Sequence, residues 1–299
     1  MATTIAHVPA VPRRTRHTAA YRRNKLAKEV GFWALLGVFL LFAAFPVYWM
    51  FITAFKQVND LYNLQNDPFV FNLAPTLDQV RYLFEHTPYA QWLRNTVEVG
   101  LLVVVVTVVI CVPAAYVLAR TNFPGSGTLG IGIFLTYLIP PTLLFLPLSQ
   151  IVVGLGLVNT RWALVVVYPT FTIPFCTWLL MGFFRSIPPD LEDAAMVDGA
   201  SRIEAFRRIV LPLAAPGVLA AALFAFTLAW NEFLYALVFI HDTELKTIPV
   251  GLNDLMFGDI FLWGQLMAAS VLTTVPVVVL YTYLQRYMVE GLTAGAVKG

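Results

Sequence analysis

Three observations predict an all-α, polytopic membrane protein with six transmembrane helices. Of 299 residues, 59% are hydrophobic and only 12% are charged, whereas soluble domains carry about 25% charged residues. Apolar runs long enough to cross a bilayer, about 20 residues each, recur along the chain. The charges gather between those runs, and the longest internal charged stretch lies between the fourth and fifth.

The chain opens with a basic tail, residues 1–30, carrying Arg13, Arg14, Arg16, Arg22, Arg23, Lys25 and Lys28 against one acid, Glu29. This composition predicts a cytoplasmic segment, disordered at its start. A signal peptide fits less well. The uncharged run that follows, residues 32–55, is longer than the roughly 7–15 residues of a signal core.

The predicted spans are residues 32–55, 96–119, 129–153, 162–184, 213–239 and 266–284. They form one permease domain, residues 31–290, with a loop at 186–212 and a short tail at 291–299. With the N-terminus inside, cytoplasmic segments hold 14 of the 19 Lys and Arg residues and outer segments hold five: Lys56, Arg81, Arg94, Arg161 and Lys246. Positive charge favours the cytoplasmic side, so both termini and the 186–212 loop are expected there.

Prolines fall inside the spans at Pro46, Pro113, Pro140, Pro141, Pro147, Pro169, Pro174 and Pro276. Each removes a helical hydrogen bond, and broken helices are tolerated where they line a cavity. Cys111 and Cys176 both lie within apolar runs and read as small packing residues. Two outer segments exceed tight turns. Residues 56–95 are expected to carry a short amphipathic helix around 77–84. Residues 241–264 contain Gly251, Asn253 and Asp254, whose small and polar character suits a mobile contact loop or, equally, a hairpin between spans.

Ionisable groups within the spans are few. Glu98 lies near the outer end of the second, and Glu232 lies deeper, beside Asn231 in the fifth. An intramembrane acid faces protein or water. Glu232 is therefore expected to hold the bundle together or to line the translocation pathway with Asn231, and the structural role is favoured.

The stretch from Pro188 to Pro216 reads as two short helices with a bend. Asp190 follows a Pro pair and is expected to cap the first. Gly199 fits just past its end, where a left-handed residue is needed. Ser201 and Glu204 make an S-x-x-E capping box for the second, with Ile203, Phe206, Ile209 and Val210 on one face. Pro212 is expected to end it.

The string Asp193-Ala194-Ala195-Met196-Val197-Asp198-Gly199-Ala200, with Phe206 and then Ile209-Val210-Leu211-Pro212, resembles the cytoplasmic coupling loop of permease subunits in bacterial ABC importers. Trp230-Asn231-Glu232-Phe233 resembles a fifth-span motif of carbohydrate-importer permeases. The tail from Gly291 through Leu292, Thr293 and Gly295 to Lys298 resembles that of the second permease subunit in maltose-type systems. The resemblance implies a carbohydrate importer in a bacterial inner membrane. Its partners would be a homologous permease, two ATPase subunits, an extracytoplasmic solute-binding protein and membrane lipid, with no nucleic acid.

It further implies that Glu192, Asp193, Ala194, Ala195, Asp198, Gly199, Phe206, Leu211 and Pro212 couple to the ATPase. Either Glu192 or Asp193 would supply the contacting carboxylate. The 291–299 tail would reach the ATPase, unless it is a frayed end, and Gly251, Asn253 and Asp254 would meet the binding protein. No catalytic residue, metal site or cofactor is expected in this chain, since no P-loop, Rossmann or H-E-x-x-H pattern occurs. ATP and Mg would belong to the partner ATPase. Importers of glycerol phosphate or polyols remain alternatives, and a secondary transporter a weaker one.

Overall fold

Thr107 and Thr172 share a 2.7 Å hydrogen bond in the bundle interior, pinning together two long helices, Tyr89–Arg120 and Pro169–Ser186. Both run through apolar sequence in which small residues and threonines sit at the contact. A hydroxyl buried there needs a partner, so the pair also sets the register. The computed structural model describes residues 19–121, 123–257 and 260–296.

In chain order the helices are α1 (Ala19–Phe55), α2 (Val58–Leu61), α3 (Asp78–His86), α4 (Tyr89–Arg120), α5 (Ser126–Tyr137), α6 (Pro141–Gly154), α7 (Arg161–Val167) and α8 (Pro169–Ser186). They continue with α9 (Asp190–Val197), α10 (Arg202–Ala205), α11 (Leu211–Leu213), α12 (Ala215–Asn231), α13 (Leu234–Phe239), α14 (Ile248–Asn253) and α15 (Trp263–Ala296). A two-residue antiparallel ribbon, Met256–Phe257 with Ile260–Phe261, precedes α15.

The chain divides into two units, residues 1–49 and 50–299. The first contributes the greater part of α1, whose apolar side chains, including Trp33, Leu41 and Phe42, are exposed. This helix begins at Ala19, well inside the expected 1–30 tail. Residues 1–18 lie outside the described residues.

Among the described residues of the second unit, three clusters of side chains are buried. One joins α4, α8 and α12 around Cys111, Tyr116, Leu180, Phe184 and Ala221. Both cysteines are buried and free within it, as packing residues should be. A second gathers Val103, Leu164, Tyr168 and Tyr235. The third packs Tyr89 and Trp92 against Leu83, Ile248 and Ala269. The amphipathic α3 supplies Leu83, and the Tyr89 hydroxyl donates to the Ala269 carbonyl at 3.2 Å.

Among the described residues, four helical stretches are long and apolar enough to cross a membrane, and six are if two bent pairs each count as one span. α4 has 32 residues, about 48 Å of helix. It therefore outreaches the roughly 30 Å hydrocarbon layer and carries Arg94 and Arg120 toward its two interfaces. The third predicted span is not straight: α5 and α6 meet at 94°. Pro140 and Pro141 lack the N–H groups that would carry the helix across that point. The fifth is broken twice. It bends by 72° between α11 and α12 and stops again at Glu232.

Candidate functional site

The loop between α8 and α12 folds as the capping residues dictate, with two differences. α9 ends in a paired-hydrogen-bond motif: the Gly199 amide donates to the Met196 carbonyl at 3.1 Å and the Ala200 amide to Ala195 at 3.0 Å. Gly199 takes φ +93°, which satisfies the last carbonyls of α9 without a Cβ penalty. Ser201 and Glu204 form the reciprocal box that starts α10.

The first difference is at Asp190. Pro189 occupies the cap position, and Asp190 is the first helical residue with no side-chain capping bond. Its charge still lies in the first turn with those of Glu192 and Asp193, near the positive end of the backbone dipoles. The second is at Pro212. The helix does not end there, because the turn Phe206–Val210 widens to a π-helical pattern with the Leu211 amide bonded to the Phe206 carbonyl. That widened turn accommodates the proline ring, which would otherwise clash with the preceding turn. The helix runs to Leu213 before bending.

Asp193 and Ala194 are exposed on α9, and Asp198 and Gly199 close its far end, also exposed. Beside them opens a cleft of about 460 Å³ lined by Leu191, Ala194, Ala195, Gly199, Arg208 and Ile209. Leu191, Val197 and Ile203 stand exposed around the loop. Small side chains flanked by exposed apolar ones and an acid make a surface suited to close docking by another protein. Phe206 is part-buried and packs on Tyr116, its ring 4.4 Å away, so Phe206 anchors the loop to the bundle. Leu211 and Pro212 sit at the bend that connects the loop to α12.

Glu192 behaves differently from its neighbour. Only 6% of the residue is exposed. Its carboxylate accepts a hydrogen bond from the Tyr116 hydroxyl and lies 3.7 Å from Arg120 Nε. Of the two adjacent acids, Glu192 is engaged within this chain and Asp193 is the accessible one. Tyr116 and Arg120 were not readable as partners from sequence, because 76 residues separate Tyr116 from Glu192.

The second candidate region is the break after α12. Glu232 leaves helical geometry, with ψ 129°, and its carboxyl group caps the next helix. One oxygen accepts from the Tyr235 amide at 2.9 Å. The other accepts from the Ala236 amide at 3.1 Å and the Tyr168 hydroxyl at 2.6 Å. These three bonds satisfy orphan donors at the start of α13 and tie it to the α7–α8 junction at Tyr168. Asn231 is exposed at the end of α12 and borders a cleft of about 360 Å³ with Trp230, Ser270, Thr273 and Thr274. The break thus separates the two residues, with Asn231 on the cleft and Glu232 in the bundle.

On the segment after α13, Gly251 is buried, and a Cβ there would come within 2.3 Å of the Trp92 ring. Its glycine serves close packing, which favours the hairpin alternative over a mobile contact at that position. Asn253 is exposed, and Asp254 pairs with Lys246 at 2.7 Å. The Trp92 indole and the Asn95 amide donate to the carbonyls of Thr243 and Glu244. The segment is therefore strapped onto α4.

At Glu98 the carboxylate binds Arg94 at 2.6 Å and also pairs with Arg161. The backbone of Gly291, Leu292, Thr293 and Gly295 continues α15 as helix to Ala296. Lys298 lies outside the described residues.

A helical bundle crossed by proline-broken spans, bearing a capped acidic helix pair beyond one end, defines a transport protein of the permease class. Residues 93–293 match the family described as binding-protein-dependent transport system inner membrane component, and the chain belongs to that family.

Among its relatives is the inner membrane ABC transporter permease protein YcjP of Escherichia coli (strain K12), 34% identical over 285 residues, covering 92% of this chain and 99% of that protein. The diacetylchitobiose uptake system permease protein DasC of Streptomyces coelicolor is 38% identical over 257 residues, 85% of this chain and 92% of DasC. The trehalose/maltose transport system permease protein MalG of Thermococcus litoralis is 38% identical over 258 residues, covering 85% and 91%. In fold, the chain is similar to a bacterial ABC transporter involved in alginate import, with a TM-score of 0.76 at 22% identity, covering 91% of this chain and 98% of that one.

Proposed function

We propose that this chain is one of two related permease subunits of an ATP-driven importer for a carbohydrate, a di- or oligosaccharide. The exposed face of α9 carries the reading. Asp193, Ala194 and the Gly199 turn present a small, acidic, rigidly capped helix beside a cleft, which is what a docking ATPase requires and a secondary carrier does not.

Both termini and the α9–α10 loop are cytoplasmic in this reading, supported by the charge distribution. Two ATPase subunits, which bind the ATP and Mg, dock on the loops of the permease pair. The 291–299 tail reaches the same ATPases. On the opposite face Asn253 meets a solute-binding protein. ATP closes the ATPase pair, the loops move with it, and the bundle opens outward to accept solute; hydrolysis resets it. This chain performs no covalent step.

Carbohydrate is supported by the names of relatives that take up diacetylchitobiose or trehalose and maltose, and by the cleft beside Asn231. Its indole, hydroxyl, amide and aliphatic lining holds no charged side chain among the described residues. That chemistry suits a neutral polyhydroxylated solute, a polyol included, and gives a phosphate ester no cation to pair with.

The test is reconstitution with the partner permease, ATPase and binding protein, followed by a screen of sugars, polyols and glycerol phosphate. Sugar-dependent ATP hydrolysis and uptake are expected. Uptake without any ATPase in the complex would overturn the reading.

A further inference from the structure

At the C-terminal end of α4 a buried cation, a phenol and the carboxylate of α9 meet where the docking loop joins the bundle. Tyr116 donates its hydroxyl to Glu192 Oε1. Arg120 Nη2 donates to the Ile187 carbonyl at 2.7 Å, and its Nε lies 3.7 Å from Glu192 Oε2 with both side chains under a tenth exposed. The Tyr116 ring also packs between Phe184 of α8, at 5.9 Å, and Phe206, at 4.4 Å. One end of one helix thus touches α8, the residue after it, α9 and the turn at Phe206.

Covalently, α9 is joined to the bundle through residues 187–189 on one side and through the bend at Leu213 on the other. A force on α9 delivered only through those joints would rotate it about them. A buried ion pair resists such motion, because separating its members leaves charge without compensation in a low-dielectric setting. Arg120 Nε has no hydrogen-bond partner although it is buried. At 3.7 Å the contact is one of charge, and a small shift of α9 toward α4 would convert it to a hydrogen bond. The trio therefore has both a fixed link, Tyr116 to Glu192, and an adjustable one.

We infer that Tyr116, Arg120 and Glu192 form a clasp that makes α9 and the C-terminal end of α4 one moving body, so that a stroke on the docking loop enters the membrane along α4. The inference rests on the reading that α9 docks an ATPase, and it adds a route from that contact into the bundle. All three are positioning residues, and none touches solute or nucleotide. Glu192 thereby separates from Asp193 in role: one acid holds the loop to its own chain, the other faces the partner.

The test uses the complete complex in proteoliposomes, with binding protein and solute, and measures solute imported per ATP hydrolysed. Tyr116→Phe keeps the ring between Phe184 and Phe206 and removes only the hydroxyl. ATP hydrolysis should stay within about twofold of wild type while import per ATP falls about tenfold, as expected for loss of a buried charge-assisted hydrogen bond. Glu192→Gln provides a second measure: amide exchange across α9 in the assembled complex should quicken about tenfold, with α8 unchanged.

A wild-type import-to-ATP ratio in Tyr116→Phe, or unchanged α9 exchange in Glu192→Gln, overturns the clasp. So does loss of assembly in both variants, which would make the trio a folding element. Capture of the ATPase by the wild-type permease, scored in the same preparations, reads the docking premise separately.

Discussion

The Tyr168 hydroxyl donates to the Glu232 carboxyl group at 2.6 Å, bridging the α7–α8 junction to the point where α12 gives way to α13. The same carboxyl group accepts two backbone amides of α13. In a bilayer those donors have no water to turn to. Glu232→Ala should therefore lower the melting temperature of the purified complex, each lost bond costing about 1–3 kcal/mol. Glu232→Gln, which retains an acceptor oxygen, should cost less and keep most transport. Transport reduced below a tenth at an unchanged melting temperature would instead assign Glu232 to the solute pathway.

Gly199 offers a cleaner separation of backbone from packing effects. Its φ is +93°, yet a Cβ there would meet nothing within 4 Å. The penalty for substitution is thus conformational, about 1–3 kcal/mol. Tolerance should follow the order Asn, Ala, Val, since asparagine visits the left-handed region most readily and a β-branched residue least. Import per ATP measured for the three variants checks this. Equal activity of Gly199→Val and Gly199→Asn would show that α9 does not need its capped end.

Much of this was legible in the sequence, for reasons that are local. Spans are apolar runs, and the Ser201–Glu204 box and the Gly199 cap are short-range patterns. What escaped is what two distant segments make together. Nothing near Glu192 announces Tyr116 or Arg120, and nothing near Gly251 announces the Trp92 ring that excludes a side chain. The fifth span reads as one apolar run holding a single acid, and the three bonds to Glu232 reveal why it breaks there. Pro140 and Pro141 were two of eight prolines in the spans, and nothing in the local pattern set the 94° between α5 and α6 apart from a milder kink.

Gly251 predicts a steric outcome where Gly199 predicts a conformational one. A Cβ would come within 2.3 Å of the Trp92 ring, and Trp92 is itself buried. Its indole N–H is bonded to the Thr243 carbonyl at 2.7 Å. Gly251→Ala should destabilise the segment over α4 by about 1–3 kcal/mol, the usual cost of overpacking. Proteolysis between α13 and α15 should become faster. Trp92→Phe in the same background should recover part of the loss. Failure of that second change to relieve the first would mean that the ring is not the obstacle.

Asp60 sets an acid limit on the segment between α1 and α3. It is 2% exposed, which alone would raise its pKa. Hydrogen bonds from Asn72 and Asn66 and from the Asn72 and Leu73 amides outweigh that burial, and the net shift is downward. Lys56, also buried, lies 3.7 Å away and donates to the Asp67 carbonyl at 2.8 Å. A carboxylate whose folded pKa is depressed contributes stability that is present above its unfolded value, 3.8. That contribution is lost as pH falls through the lower folded value. Protection of residues 57–73 against proteolysis should therefore hold at neutral pH and decline only below about pH 4. Asp60→Ala should abolish it at every pH, because Lys56 would be left buried without its counter-charge, at a cost of about 3–5 kcal/mol. Asp60→Ala with Lys56→Met should recover part of the protection by removing the stranded charge, while the bonds from Asn66, Asn72 and Leu73 to Asp60 stay lost. If the double variant is as labile as the single, the buried ammonium is not what the aspartate holds in place.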